Sequence, residues 1–404
     1  MTRSEVIARI KAAREALGWT QEVLAEKVGL SRTSVTELES GKRDIKIAEL
    51  ARFADALGRP ITYFLTQEVE GQIQFEPLLR ALPSQAAGLA PSQTADKVLA
   101  ATKEVLLKFE NLCKMYVELE EINEQFPPPL PTFPFRPGRG MYRDAENLAD
   151  SVRGLLGLGP SAPAQGLRDL IENRWGVKTF VLKAAGNLSG AAIHDERAGG
   201  CILVTVRTIP HMLFTLAHEL AHLLVHRDQP MVDFNLYDDA TEEKFANAFA
   251  AALLMPRPAV QEVFWSTYQS RAQVTDIDVI RISRLFGVSF NAMLSRLQGL
   301  HLLASGERGR MLQEYKKSGT GPVLRARDAG LPDDHQPFWP TMPDRYVFLA
   351  IRAYEREEIS IGRLAENLRD ADGHQYSIEE AVDFIARYRL ANAENGERVD
   401  HAPE

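Results

Sequence analysis

The chain has 404 residues, 45% of them apolar and 25% charged, which suits two or three globular domains. Its net charge of −8 excludes a protein that coats nucleic acid with its whole surface, and two cysteines, Cys113 and Cys201, exclude a disulfide scaffold and fit a reducing compartment. No apolar run reaches spanning length and no signal-peptide core is visible, so a cytoplasmic address without a membrane partner is expected.

Residues 1 to 66 read as an all-α bundle of five short helices. Ile7, Ile10, Ala13 and Leu17 give the first its apolar face; Thr20 caps a second from Gln21 to Val28; Gly29-Leu30-Ser31 is a tight turn into a third. Gly41 stops that third helix, and two more follow, over 45–57 and 62–65. The pattern T-Q-x-x-L-A-x-x-x-G-L-S-x-x-x-V-x-x-L-E-x-G-x-R, from Thr20 to Arg43, resembles the Xre/Cro-type helix-turn-helix family. The resemblance implies that Arg32, Thr33, Ser34 and Glu37 face base edges, while Gln21, Lys42 and Arg43 grip phosphates. Eleven Lys/Arg against nine Asp/Glu in residues 1–65 make a faint basic footprint, +2, and Glu37 and Glu39 on the reading helix dilute it. DNA is the expected partner; a docking or dimerisation module is the alternative.

Residues 67 to 140 read as a linker and a long helix. The helix opens near Thr94 and carries a stripe of Val98, Val105, Leu106, Phe109, Leu112, Tyr116, Leu119 and Ile122, which suits either a coiled-coil homodimer or packing on the next domain. It ends before Pro127-Pro128-Pro129, beyond which the Pro/Gly-rich stretch to Gly140 must be extended.

Residues 141 to 304 hold the chemistry. Helices over 144–156 and 167–175 precede three expected strands, 177–182, 188–194 and 201–206. Then Met212, Leu213, Leu216, Leu220, Leu223 and Leu224 recur at helical spacing after Pro210. This helix carries His218-Glu219-Leu220-Ala221-His222. Residues four apart share a helical face, so both imidazoles can reach one metal ion, and Glu219 can stand beside the water activated there. A catalytic zinc ordinarily takes a third protein ligand. A second helix, capped by Thr241 and packed through Phe245, Ala248, Phe249, Ala252 and Leu253, offers Glu243 or its neighbour Glu242 on its first turn. Helical phase alone does not separate the two.

The run from His218 to His226, with Glu243-Lys-Phe-Ala-Asn-Ala-Phe-Ala-Ala-Ala-Leu-Leu-Met-Pro256 after it, resembles the ImmA/IrrE metallopeptidase family. That resemblance covers roughly residues 140 to 300. It implies a thermolysin-like core of the α+β class with a small sheet, Zn2+ held by His218, His222 and Glu243, and Glu219 as the catalytic base. It also implies an endopeptidase that cleaves a helix-turn-helix repressor in a DNA-damage, mobile-element or anti-phage response, with single-stranded DNA as the activating signal. Cys113, a soft zinc ligand in the segment ahead of the hydrolase, suggests an autoinhibitory switch, against a plain buried residue. His194, Tyr237 and Asn247 are candidate oxyanion stabilisers, and His226 a helix-end residue or an outer neighbour of the metal. Some relatives that regulate short-chain acyl metabolism lack the H-E-x-x-H residues, so the rival class is a non-catalytic regulator using this fold as a sensor.

Beyond Pro256, helices are expected over 259–268, 276–286 and 291–303. The last two are joined at Gly287-Val288-Ser289 with helix-turn-helix rhythm, and DNA recognition by them is the lesser expectation. Residues 305 to 404 read as a separate helical region, loop-rich to 342 and helical over 346–354, 360–368 and 377–391. Within it, Arg308 to Arg327 can meet a nucleic-acid activator or form a solvated surface.

Overall fold

The apolar, β-branched runs after Trp175 pair into one four-stranded mixed sheet: β1 (Lys178–Leu182), β2 (Gly190–Asp195), β3 (Gly199–Thr205) and β4 (Met231–Asp233), in the order β1-β3-β2-β4. β1 runs parallel to β3, with Phe180 opposite Leu203, and β2 is antiparallel to both β3 and β4. The computed structural model describes residues 3–17, 19–57, 61–65, 75, 93–134, 140–164, 166–184, 188–226, 231–233, 240–268, 274–318, 322–331, 339–368 and 375–394.

Alternation along the strands sends side chains to two cores. Val181, Ala192, Ile202 and Val204 point to a core shared with α9 (Ile209–Val225) and α10 (Thr241–Leu254). Phe180, Leu182, Ala191, Ile193, Cys201 and Leu203 point the other way, to α6 (Gln93–Ile122) and α16 (Asp344–Glu355). The sheet is therefore covered on both faces, which is why its strands read as almost continuous apolar runs.

Around α9 and α10 pack α7 (Met141–Leu155), α8 (Leu167–Trp175), α11 (Arg257–Thr267), α12 (Asp276–Phe286) and α13 (Phe290–Gly299). Fully buried alanines at 217, 221, 246 and 250 let α9 and α10 lie close, as small residues at a helix contact do. Arg153 donates to the Leu253 carbonyl at 2.7 Å, and Arg296 to that of Met255 at 2.9 Å. These two cations satisfy the carboxyl end of α10 and set how far it reaches.

The amino-terminal bundle comprises α1 (Arg3–Ala16), α2 (Gln21–Val28), α3 (Arg32–Glu39), α4 (Ile47–Ala56) and α5 (Ile61–Leu65). Thr20 and Ser31 cap α2 and α3 through their side chains. Gly29 turns the chain at φ +66°, a conformation that suits glycine.

Several expectations change. The stripe of α6 is not free for a coiled coil: Leu106, Phe109, Leu112, Tyr116 and Leu119 are buried against the sheet and the carboxyl-terminal helices. The boundary expected near 304 does not separate cores, because α16, α17 (Ile361–Asn367) and α18 (Ile378–Glu394) share the α6 core with the strands. The loop-rich stretch contains α14 (Glu307–Ser318) and α15 (Pro322–Asp328). Thr241 begins α10 rather than capping it; Ala240 holds the cap position and offers no side-chain acceptor. The helix expected over 291–303 ends at Gly299, and His301 turns at φ +57°.

Candidate metal centre

Because α9 is regular through 218–222, His218 and His222 project from one face one turn apart. Their Nε2 atoms lie 3.1 Å from each other. Across the gap, α10 brings Glu243, whose Oε2 is 3.1 Å from His218 Nε2 and whose Oε1 is 3.4 Å from His222 Nε2. A tetrahedral zinc with bonds of about 2.0–2.1 Å has ligand atoms roughly 3.3 Å apart, so this donor set has the size and chemistry that zinc requires. Among the described residues, these three form the group able to hold a metal ion, and Glu242 is not part of it.

Each imidazole is held from behind. His218 Nδ1 is 3.2 Å from Asn247 Oδ1, one turn along α10 from Glu243, and His222 Nδ1 is 3.0 Å from His226 Nδ1. Asn247, proposed from sequence as an oxyanion group, is thus engaged with the His218 imidazole. His194 lies half-buried on β2 outside the group, and Tyr237 falls outside the described residues.

Glu219 is fully buried, and neither carboxylate oxygen has a hydrogen-bond partner among the described residues. Burial, and after it the charges of Asp233 and Glu243, hold its carboxyl far above the usual carboxylate range. An unanswered buried carboxyl is costly as a structural element and fits a group whose partner belongs to the chemistry. Its slot is made by Gly190: a Cβ there would stand 2.6 Å from Glu219 Oε1 and 2.8 Å from Thr215 Cγ2. Burial opposes protonation of His218, but the hydrogen bond and charge of Glu243 outweigh it and raise its pKa. Burial, with His218 and His226 nearby, lowers His222 well below the ordinary histidine value.

Asp233 is the site neighbour that sequence reasoning missed. It pairs in register with Gly190, and its charge acts on both Glu219 and His218. A three-residue strand is too short to show alternation, so no pattern marked it. His211, also on α9, is lowered by burial and by Arg207.

Cys113 does not join the centre. It is fully buried in the α6 core, its thiol beside that of Cys201, on the sheet face opposite α9. To reach the histidines it would have to pass through the sheet, so the expected cysteine switch has no path in this fold. Burial pushes its thiol well up, as for an unreactive core cysteine.

In the amino-terminal bundle, Arg32, Thr33 and Glu37 are exposed on α3 and Ser34 is half-exposed. Two expected phosphate contacts are engaged internally. Gln21 donates to Glu39 at 2.8 Å and accepts from Thr36 at 2.8 Å, while Arg43 pairs with Glu49. The α12–α13 pair repeats the turn, with Gly287 at φ +66° and Ser289 capping α13 as Ser31 caps α3. However, Phe290 and Leu294, in the places of Arg32 and Thr36, are buried, so this second unit does not repeat the exposed face of α3 at those positions.

The family model for helix-turn-helix domains matches residues 10–64, and that for the IrrE N-terminal-like domain matches residues 173–298. The propionyl-CoA carboxylase regulator of Cereibacter sphaeroides is 24% identical over 311 residues, covering 72% of this chain and 64% of that protein. The chain therefore spans a little under two thirds of that relative's length. An uncharacterized HTH-type transcriptional regulator of Methanothermobacter thermautotrophicus is 44% identical over 50 residues, 12% of this chain and 72% of that protein.

Proposed function

We propose that this chain, which joins a helix-turn-helix domain to an ImmA/IrrE-type domain, is a zinc-dependent endopeptidase that cleaves a helix-turn-helix repressor and so turns genes on. The observation that carries the reading is the pairing of a zinc-sized donor set, His218, His222 and Glu243, with a buried Glu219 whose oxygens have no hydrogen-bond partner among the described residues. Zinc bound by these residues would supply Lewis acidity toward a peptide carbonyl. Glu219 is placed to take a proton from the attacking water and to return it to the departing amine. Asn247 and His226 orient the ligand imidazoles, and Gly190 leaves room for the base. β4 lies at the edge of the sheet beside Gly190, where an extended peptide can add as a further strand. Single-stranded DNA is the proposed activating signal, and the cytoplasm the proposed compartment. No helix among the described residues is long and apolar enough to cross a membrane.

The printed role of the Cereibacter relative, a regulator, supports a second reading in which the same fold senses rather than cuts. Incubating the purified protein with the repressor encoded beside it, with and without zinc and single-stranded DNA, separates the two. Zinc-dependent cleavage that disappears in Glu219→Gln is expected. Intact repressor under every condition, with gene regulation unchanged in Glu219→Gln, would leave the sensor.

A further inference from the structure

We propose that His226 is a positioning residue that fixes the tautomer and ring orientation of His222 by accepting its Nδ1–H. The assignment rests on the zinc reading above. His222 turns Nε2 toward His218 and Glu243, so that nitrogen must keep its lone pair free for the ion, and the single proton of the neutral ring belongs on Nδ1. That N–H needs an acceptor in a place closed to solvent, where His222 is only 2% exposed. The atom facing it is His226 Nδ1, at 3.0 Å, which therefore carries the lone pair, leaving the His226 proton on Nε2.

Local structure holds the acceptor there. His226 is the cap residue of α9, and its backbone N–H donates to the His222 carbonyl. The helix ends at φ −118°, ψ 33°, with the two ring centroids 5.1 Å apart. Phe245 of α10 packs edge-on against the His226 ring, centroids 6.2 Å apart at 80°, and restrains its rotation. The helix that brings Glu243 thereby also braces the residue behind His222. His218 is treated in parallel, with Asn247 Oδ1 as the acceptor. Both ligand imidazoles thus lean on neutral acceptors, one amide and one imidazole. Outer partners of this kind are worth about 10–100-fold in metal affinity.

The test measures Zn2+ affinity of the full chain by competition with a chromophoric chelator, for the parent, His226→Leu, His226→Ala and His226→Asn. The expected result is a loss of about 10–100-fold in the leucine and alanine variants, either of which suffices if the other does not fold. The asparagine variant, whose Oδ1 can occupy the position of Nδ1, is expected to recover most of that loss. In the Co2+-substituted parent, two solvent-protected Nδ1–H resonances are expected by NMR, and one becomes freely exchanging in His226→Leu. Unchanged affinity and two protected resonances in a folded leucine variant would overturn this assignment alone. A parent that binds no zinc, or binds it equally well in His222→Ala, would overturn it together with the zinc reading.

Discussion

Lys178, on β1, and Glu219, on α9, are both fully buried ionisable groups on opposite faces of the same sheet, and the protein treats them differently. Lys178 donates to the Ala198 carbonyl at 2.8 Å and pairs with Glu120 at 2.9 Å; Glu120 also pairs with Arg345, which donates to the Gln125 carbonyl at 3.0 Å. This network joins β1, α6 and α16, with each charge answered inside the chain. On the other face, Glu219 has no hydrogen-bond partner for either oxygen among the described residues. The contrast separates a buried ionisable group that specifies how elements dock from one that, on the proposed function, serves a reacting molecule.

The largest expected effect comes from replacing the carboxyl on the unanswered side. Glu219→Gln should reduce repressor cleavage by about 10²–10⁴-fold while zinc content, by elemental analysis, and melting temperature stay at parental values or rise. A drop in stability comparable to that of a core mutation would show that Glu219 is structural after all. Glu120→Gln, on the answered side, should do the reverse. Leaving Lys178 buried, and Arg345 half-buried, without their carboxylate should cost about 3–5 kcal/mol by chemical denaturation, with cleavage retained under folding conditions.

Gly190→Ala tests the slot between the two regimes. Its Cβ would collide with Glu219 Oε1, so cleavage should fall at least about 10-fold, with a modest stability loss of about 1–3 kcal/mol and zinc still bound. A fully active alanine variant would mean that Glu219 works from another position.

The smallest effect is a pH dependence on the structural side. Burial, against the opposing pull of Arg168, pushes the Glu172 carboxyl up to about 8. The folded state favours the protonated acid. Its stabilisation is therefore complete below the ordinary carboxylate value of about 4.5 and is lost as pH rises through about 8. The parental melting temperature should decline over that window, and Glu172→Gln should flatten the decline. Identical slopes would place that sensitivity elsewhere.

Much of the candidate site could be read in the chain because helical period is a local property. His218 and His222 fall on one face by spacing alone, with Glu219 next to the first of them, and β1 to β3 emerge as apolar runs within two residues of their observed bounds. Glu243 could not be told from Glu242, since adjacent helical residues differ by about 100° and only the docking of α10 on α9 selects one. Cys113 was legible as a helix residue but not as a residue of the far side of the sheet. Strands apolar on both faces do not announce which helix covers which face, so α16 to α18 read as a separate region when they complete the second core.

Local order, then, belonged to the sequence itself: the periodic apolar runs, the turn glycines Gly29 and Gly287, and the two imidazoles one turn apart. All of these depend on interactions spanning a few residues. The tertiary structure alone decided which carboxylate closes the group, that Asp233 and Gly190 stand beside Glu219, and that Phe290 and Leu294 are buried where Arg32 and Thr36 face outward. Those outcomes depend on how surfaces distant in the chain meet, and the energy of that meeting lies in packing and desolvation that no short stretch contains.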